Sequence, residues 1–99
     1  MEGKRVYKEM TITYGELAKA LTQLGFKNES NPEHFRYVNE AYDAVILLRA
    51  NPPSRTLFKA IISGFSYQLY MQGVIEDCDD LAKLVEKNRL TDYSQVAAA

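Results

Sequence analysis

The chain lacks the sequence features of disulfide-stabilised, membrane-spanning and secreted proteins. It has one cysteine, Cys78, in 99 residues, so an internal disulfide cannot form. No apolar run approaches the roughly 18 residues that a membrane-spanning helix needs. The first five residues are not followed by the apolar stretch of a signal peptide. We therefore expect neither a disulfide-rich secreted protein nor a membrane protein, but a cytoplasmic one.

The chain also lacks a strong charge of either sign. Its 12 basic and 13 acidic residues give a net charge of −1. Nine basic and seven acidic residues lie in residues 1–75, and three basic and six acidic residues follow. Dedicated nucleic-acid-binding proteins usually carry a clear basic excess, because neutralised phosphates supply most of their affinity. The small surplus in the first part is weak evidence for such binding, which would need a local basic patch.

Glycine and proline are scarce, at five and three residues, and 46% of the chain is hydrophobic. This composition predicts an ordered globular chain of about one domain. We assign the domain to residues 1–90, with a core over 13–75 and a helical tail over 76–90, followed by a disordered tail over 91–99. The sequence contains no glycine-rich phosphate loop and no zinc-ligand spacing, so we predict no cofactor and no metal site.

The first helix has clear signals at both ends. Thr13 and Glu16 are spaced as a capping box, in which each side chain accepts a hydrogen bond from the other residue's backbone N–H. Gly25 is placed as a left-handed C-terminal cap, and Phe26 is the apolar residue that often follows it. Between them runs an apolar stripe at helical spacing, made of Leu17, Leu21 and Leu24. The pattern predicts a helix over residues 14–24.

Three short extended segments follow, over residues 26–29, 34–39 and 44–49, separated by turn-forming residues. The second alternates between two faces, and the third is a continuous apolar run that favours a strand. Sequential strands with tight turns predict an antiparallel meander. Residues 6–14 are predicted to form an extended arm or a short strand.

The remainder of the chain is predicted to be helical. Pro52 and Pro53 end the third strand, and Ser54 is the expected N-cap of a buried helix that ends at Gly64. A short helical turn over 67–72 and an amphipathic helix over 76–88 follow. The predicted class is therefore α+β, in the order α-β-β-β-α, with a three-stranded antiparallel sheet packed on helices and an extra C-terminal helix.

Three stretches resemble the HicA family of bacterial toxin–antitoxin proteins. Residues 16–26 are similar to that family's first helix and its glycine–aromatic close. Residues 33–37 lie where the family has Gly-Ser-His followed by apolar residues, and residues 54–62 are similar to its Gly-Thr-Leu-x-x-Ile-Leu helix. The resemblance implies a fold like that of double-stranded-RNA-binding domains, metal-independent cleavage of messenger RNA by a histidine, and a HicB-like antitoxin partner. The chain has Pro32 and Glu33 in place of the family's glycine and serine.

Carried over residue by residue, the resemblance makes His34 the catalytic candidate. Histidine suits RNA cleavage because its unperturbed pKa near 6.5 lets it accept and donate protons. Strand alternation places Arg36 on the same face, about 7 Å along the strand, where it can hold a phosphate. Further candidates for RNA binding are Arg49, Arg55 and Lys59. The alternative is that His34 is only a polar residue at the exposed start of a strand.

Two functions remain open at this point: a HicA-like ribonuclease, or a non-catalytic, oligomerising binding module with the same fold. The strand over 44–48 is apolar on both faces, whereas a strand at the edge of a small sheet is normally half solvated. Its second face must be covered by the tail helix, by a second copy or by another protein. We therefore predict a homodimer, formed by pairing of strand edges, or a complex with an antitoxin-like protein.

Overall fold

The structure is a computed structural model that describes residues 11–98, with side chains through residue 91. Its elements follow in the order α1 (Tyr14–Gln23), β1 (Lys27–Asn28), β2 (His34–Asn39), a 3₁₀ turn (Glu40–Tyr42), β3 (Ala44–Arg49), α2 (Lys59–Met71) and α3 (Asp80–Ala98). The predicted α+β class is confirmed. Residues 6–10 of the predicted N-terminal arm lie outside the described residues.

Helix α1 begins and ends as its sequence predicts. The Thr13 hydroxyl accepts from the Glu16 backbone N–H at 3.2 Å, and the Glu16 carboxylate accepts from the Thr13 N–H at 3.0 Å. At the other end Gly25 adopts a φ of 93°, a conformation that costs glycine little. The capping box and the glycine thus confine the helix to one stretch between them.

The three strands form one antiparallel sheet in the order β1-β2-β3. Strands β2 and β3 pair over six residues, from His34 opposite Arg49 to Asn39 opposite Ala44. Asp43 completes the turn between them with a φ of 51°. This register gives each strand one buried face and one exposed face, because alternate side chains point to opposite sides of a sheet.

One face of the sheet is covered by all three helices. Tyr37, Ile46 and Leu48 of this face are buried in a single hydrophobic cluster. The helices contribute the remaining large members of that cluster, namely Leu17, Leu21, Ile62, Leu69, Leu81 and Val85. Burying each such side chain contributes roughly 1.5–3 kcal/mol. This layer of side chains is therefore the source of most of the fold's stability.

The prediction for the segment after β3 is wrong about where the next helix begins. Ser54 is not an N-cap, because α2 begins only at Lys59, after Phe58 as its N-cap. The backbone before it bonds instead to the start of α1: the Gly15 N–H donates to the Pro53 carbonyl at 2.9 Å, and a Cβ at Gly15 would lie 3.2–3.3 Å from Pro53. An isolated bridge joins Thr13 to Thr56 in the same region.

Gly64 does not end α2, and the predicted turn over 67–72 is the second half of the same helix. No positive φ is present at Gly64, so the residue is accommodated within regular helix. The helix ends at Met71, and Gly73 just beyond it has a φ of 79°. Of the apolar residues near its start, Ile62 is buried, but Phe58 is 75% exposed, so this helix is less buried than the sequence predicts.

Helix α3 begins at Asp80 and continues to Ala98, so it starts later and extends further than the predicted helix over 76–88. The Asp80 carboxylate accepts from the N–H groups of Glu76 and Asp77 and orders the preceding turn. The helix packs against α1, where Asn88 donates to the side chain of Gln23 at 2.7 Å. Among the described residues, none of the helices combines the length and apolar character that crossing a bilayer requires.

Candidate functional site on the open face of the sheet

The second face of the sheet is exposed to solvent. Val45 and Leu47 are 41% and 59% exposed, although both are large apolar residues. The tail helix does not cover them, because Leu81 and Val85 are buried on the opposite face. Among the described residues no other element covers them either. Of the three covers that the sequence allows, the tail helix is therefore excluded.

His34 and Arg49 are direct neighbours on this open face, as the two residues of one cross-strand pair. The Ala50 N–H donates to the Glu33 carbonyl at 2.9 Å, so the adjacent pair is the hydrogen-bonded one. His34 and Arg49 therefore form a non-hydrogen-bonded pair, in which the Cβ atoms are about 4.5–5.5 Å apart. This is the closest approach that two facing side chains of a sheet can have.

The turn before β2 sets the position of His34. The carboxamide oxygen of Asn31 accepts from the backbone N–H groups of Glu33 and His34, both at 2.8 Å. The Asn31 N–H in turn donates to the His34 carbonyl at 2.9 Å. Asparagine is suited to this role because its short side chain can mimic a backbone turn. His34 is thus fixed at the first residue of the strand.

The imidazole of His34 is exposed, and within the described part of the chain it makes no hydrogen bond or ion pair. It borders an open recess of about 570 Å³, which is lined by Pro32, Glu33, His34, Arg49 and Ala50. The recess therefore combines one ring able to transfer protons, one guanidinium and one carboxylate. Glu33 places negative charge at the rim of the recess.

Arg36 shares the face of His34, two residues along the strand. Its guanidinium forms an ion pair with Glu29, and both side chains are nearly half exposed. The pair reduces the positive charge that Arg36 offers to a phosphate. Arg49 has no ion-pair partner among the described residues, so it is the less neutralised cation of the two.

The other two predicted RNA-binding residues lie apart from this recess. Arg55 is exposed in the connection between β3 and α2, and Lys59 is the exposed first residue of α2. Neither lines the recess beside His34. The structure brings His34, Arg36 and Arg49 together on one face, and leaves Arg55 and Lys59 on another part of the surface.

The site residues predicted from the sequence do not include two residues of the open face, Lys27 and Glu29. Lys27 pairs with Val38 in the sheet register and therefore shares the face of His34. Glu29, two residues on, supplies the partner of Arg36. Alternation within residues 26–29 would have identified both, because it assigns Lys27 and Glu29 to one face.

Two acidic groups whose pKa values differ from the ordinary ones, Glu16 and Tyr37, lie on the covered side of the sheet. A hydrogen bond from Arg89 holds the pKa of Glu16 below its usual value, against the opposing effect of burial. Burial raises the pKa of Tyr37, while a hydrogen bond to Ser30 opposes the rise. In the described part of the chain, no cluster of three or more histidine, cysteine or acidic side chains is arranged to hold a metal ion.

Comparison of the chain with models of protein families, with curated proteins and with solved structures finds no significant match. The geometry of the open face and the resemblance carried by the three sequence stretches are therefore the available indications of function.

Proposed function

We propose that this chain is a HicA-like, cytoplasmic RNA-binding protein that cleaves RNA without a metal ion. His34 transfers the proton and Arg49 binds the phosphate at the cleaved bond. The observation that carries the proposal is the direct pairing of His34 with Arg49 on the solvent-exposed face of the sheet. A phosphate between the two side chains would contact both.

The chemistry that this pair supports is internal transesterification. The imidazole of His34 removes the proton from the ribose 2′-hydroxyl, and the 2′-oxygen forms a bond to phosphorus. The bond from phosphorus to the 5′-oxygen breaks, and that oxygen takes a proton from water. The hydroxide left behind removes the proton from the imidazolium, which returns His34 to its neutral form. The products are a 2′,3′-cyclic phosphate and a 5′-hydroxyl. The guanidinium of Arg49 stabilises the negative charge that develops on the phosphate oxygens.

This mechanism defines the substrate class. The attacking group is the 2′-hydroxyl, so DNA is not cleaved. The open face is a three-stranded surface with exposed Val45 and Leu47 beside its cations. Such a surface fits an unpaired strand, whose bases can lie against apolar side chains while its phosphates meet the cations.

The test is cleavage of a DNA oligonucleotide that contains one ribonucleotide, in EDTA. We expect one cut, after the ribonucleotide, with a cyclic phosphate end. His34→Ala should slow the reaction by about 10²–10⁴-fold, the usual contribution of a positioned general base. The matched control is Val38→Ala on the same face, which should cleave at nearly the wild-type rate. Cleavage that survives in His34→Ala, or a wild-type chain without activity, contradicts the assignment.

A non-catalytic binding module is the second candidate, and a specific observation favours it. Glu29 neutralises Arg36, Glu33 stands at the recess, and Val45 and Leu47 expose apolar area. These features suit a protein partner, which would be a second copy or a HicB-like antitoxin. Light scattering of the purified chain, together with the cleavage assay, separates the two candidates: the module predicts a stable oligomer and no cleavage.

A further inference from the structure

A second surface lies at the free edge of the sheet, between β3 and α2. This edge groove has a volume of about 590 Å³. Helix α2 runs antiparallel to β3 and presents a stripe of residues to the strand at helical spacing. It is lined by Leu47, Leu48 and Arg49 of β3, by Ile61, Gly64, Phe65 and Gln68 of α2, and by Tyr14 at the start of α1.

Part of the strand edge is already satisfied by α2. The Gln68 side chain donates to the Val45 carbonyl at 3.0 Å, and the Gln72 side chain donates to the Asp43 carbonyl at 3.5 Å. These two glutamines occupy the end of the edge where β3 begins. The apolar half of the stripe, Ile61 and Phe65, faces the end where β3 finishes and supplies no such donor.

The remaining edge is ready to pair with another strand. Residues 45, 47 and 49 direct their backbone groups away from β2, because backbone groups alternate along a strand and Ala50 bonds to Glu33. The Arg49 carbonyl accepts from Asn51 at 3.2 Å. Within the described residues, the N–H and C=O of Leu47 and the N–H of Arg49 have no hydrogen-bond partner. An extended peptide laid along the groove would satisfy all three.

We propose that the edge groove binds an extended segment of a partner protein by strand addition to β3. The segment carries an apolar side chain between Ile61 and Phe65 and an acidic group at the Arg49 end. Main-chain pairing with an edge strand provides affinity, and pockets for alternate side chains provide specificity. Arg49 is the one charged residue that lines the groove, so its charge complements an acidic segment. This proposal goes beyond RNA cleavage and does not depend on it.

Other occupants fit the groove less well. Two copies of this chain can bring together only the ends of their β3 edges near residues 47–49, because Gln68 and Gln72 of α2 occupy the other end of each edge. The N-terminal residues 1–10 of the chain contain three basic and two acidic residues, so they do not match the charge of Arg49. An acidic partner segment remains the occupant with matching charge and backbone pattern.

Two substitutions at Gly64, to alanine and to leucine, test whether the groove is the binding site. A Cβ at this position would meet nothing within 4 Å, so alanine is accommodated without contact. Leucine at the same position would project into the groove and obstruct part of it. Both substitutions replace glycine inside a helix, which favours folding. The pair therefore separates blocking of the groove from damage to the fold.

The probe is a fluorescein-labelled hexapeptide, Asp-Val-Thr-Val-Thr-Asp, titrated into the full chain while its anisotropy is recorded. We expect saturable binding below about 1 mM. Gly64→Leu should weaken it by about tenfold or more, and Gly64→Ala by less than about twofold. Proline at the two central positions of the peptide, or lysine in place of both aspartates, should also weaken binding. Equal binding by Gly64→Leu, or no saturable binding, overturns the proposal.

Amide hydrogen exchange at Leu47 and Arg49 identifies the occupant. Under the proposal both amides exchange rapidly in the free chain and slow by about tenfold or more when the peptide saturates the protein. Protection in the free chain at every protein concentration means that the chain fills its own groove. Protection that rises with protein concentration means that a second copy does. Either result overturns the assignment to a partner protein.

Discussion

The two faces of the sheet are made by the same strands, yet they differ in almost every physical respect. On the covered face, Tyr37 and Ile46 are almost fully buried in the hydrophobic cluster to which all three helices contribute. On the open face, His34, Leu47 and Arg49 of the same two strands are exposed to solvent. Alternation along a strand thus separates the residues that stabilise the fold from those available for binding and chemistry. Adjacent substitutions should therefore affect different properties.

The largest expected effect comes from comparing Ile46→Ala with Leu47→Ala. Ile46 is 1% exposed, so its truncation leaves a cavity and should lower the free energy of unfolding by about 2–4 kcal/mol. Leu47 is 59% exposed, and its truncation should cost less than about 0.5 kcal/mol. Urea unfolding of both variants measures the difference. Similar losses would mean that the open face is covered in solution.

The second comparison lies within the open face, between Arg49→Gln and Arg36→Gln. Arg36 is engaged by Glu29, whereas Arg49 stands next to His34. Affinity for single-stranded RNA should fall by about tenfold in Arg49→Gln and by about twofold in Arg36→Gln. The Arg49 variant should also lose about one unit from the slope of affinity against salt concentration. Equal effects in the two variants would count against the special role of Arg49.

The third comparison concerns the helix that covers the sheet. Thr13→Ala removes the hydroxyl that caps α1 and should lower the free energy of unfolding by about 1 kcal/mol. Thr22→Ala is the matched control, since Thr22 is exposed in the same helix and its hydroxyl bonds only to the preceding turn at Ala18. Thermal unfolding should detect the loss in the first variant alone. A comparable loss in both would show that the cap contributes little.

The smallest effect is acid sensitivity on the covered side. Ionised Glu16 is stabilised by Arg89, so its pKa lies below the ordinary value of 4.5. The folded state therefore gains stability above that value and loses it as the pH falls through the lowered pKa. Both side chains are partly exposed, so the gain is about 0.5 kcal/mol. Urea unfolding at about pH 6 and about pH 3 should show a smaller acid loss in Glu16→Gln than in wild type.

Arg89→Gln is the reciprocal variant for this ion pair. It should remove the same pH-dependent component, and the double variant should remove no more than either single one. An acid loss in Glu16→Gln as large as in wild type would assign the sensitivity to other groups.

Local signals explain which parts of the fold the sequence predicts well. The bounds of β2 and β3 are as predicted, because alternation and turn residues define them from neighbours in the chain. Helix α1 is defined by Thr13, Glu16 and Gly25, all within one short stretch. The sheet register that joins His34 to Arg49 follows from the short turn between these strands.

The predictions fail where contacts between residues distant in the sequence determine the structure. Ser54 has the side chain of an N-cap, but the backbone around it bonds to residues 12–15, so the helix is delayed. A glycine such as Gly64 can end a helix, but the residues on both sides of it are helical and the helix continues through it. The groove beside β3 was not predicted either, because the approach of α2 to the strand edge depends on Gln68 meeting a residue 23 positions away.

The contact between Pro53 and Gly15 has a consequence for how this chain can vary. It is made by the main chain, with a carbonyl on one side and an N–H on the other, so most side chains of the connecting segment are free to change. The length of the connecting segment is constrained, because β3 fixes one end of it and the start of α1 fixes the other. Insertions there should be tolerated far less than substitutions, in contrast to the usual behaviour of surface loops.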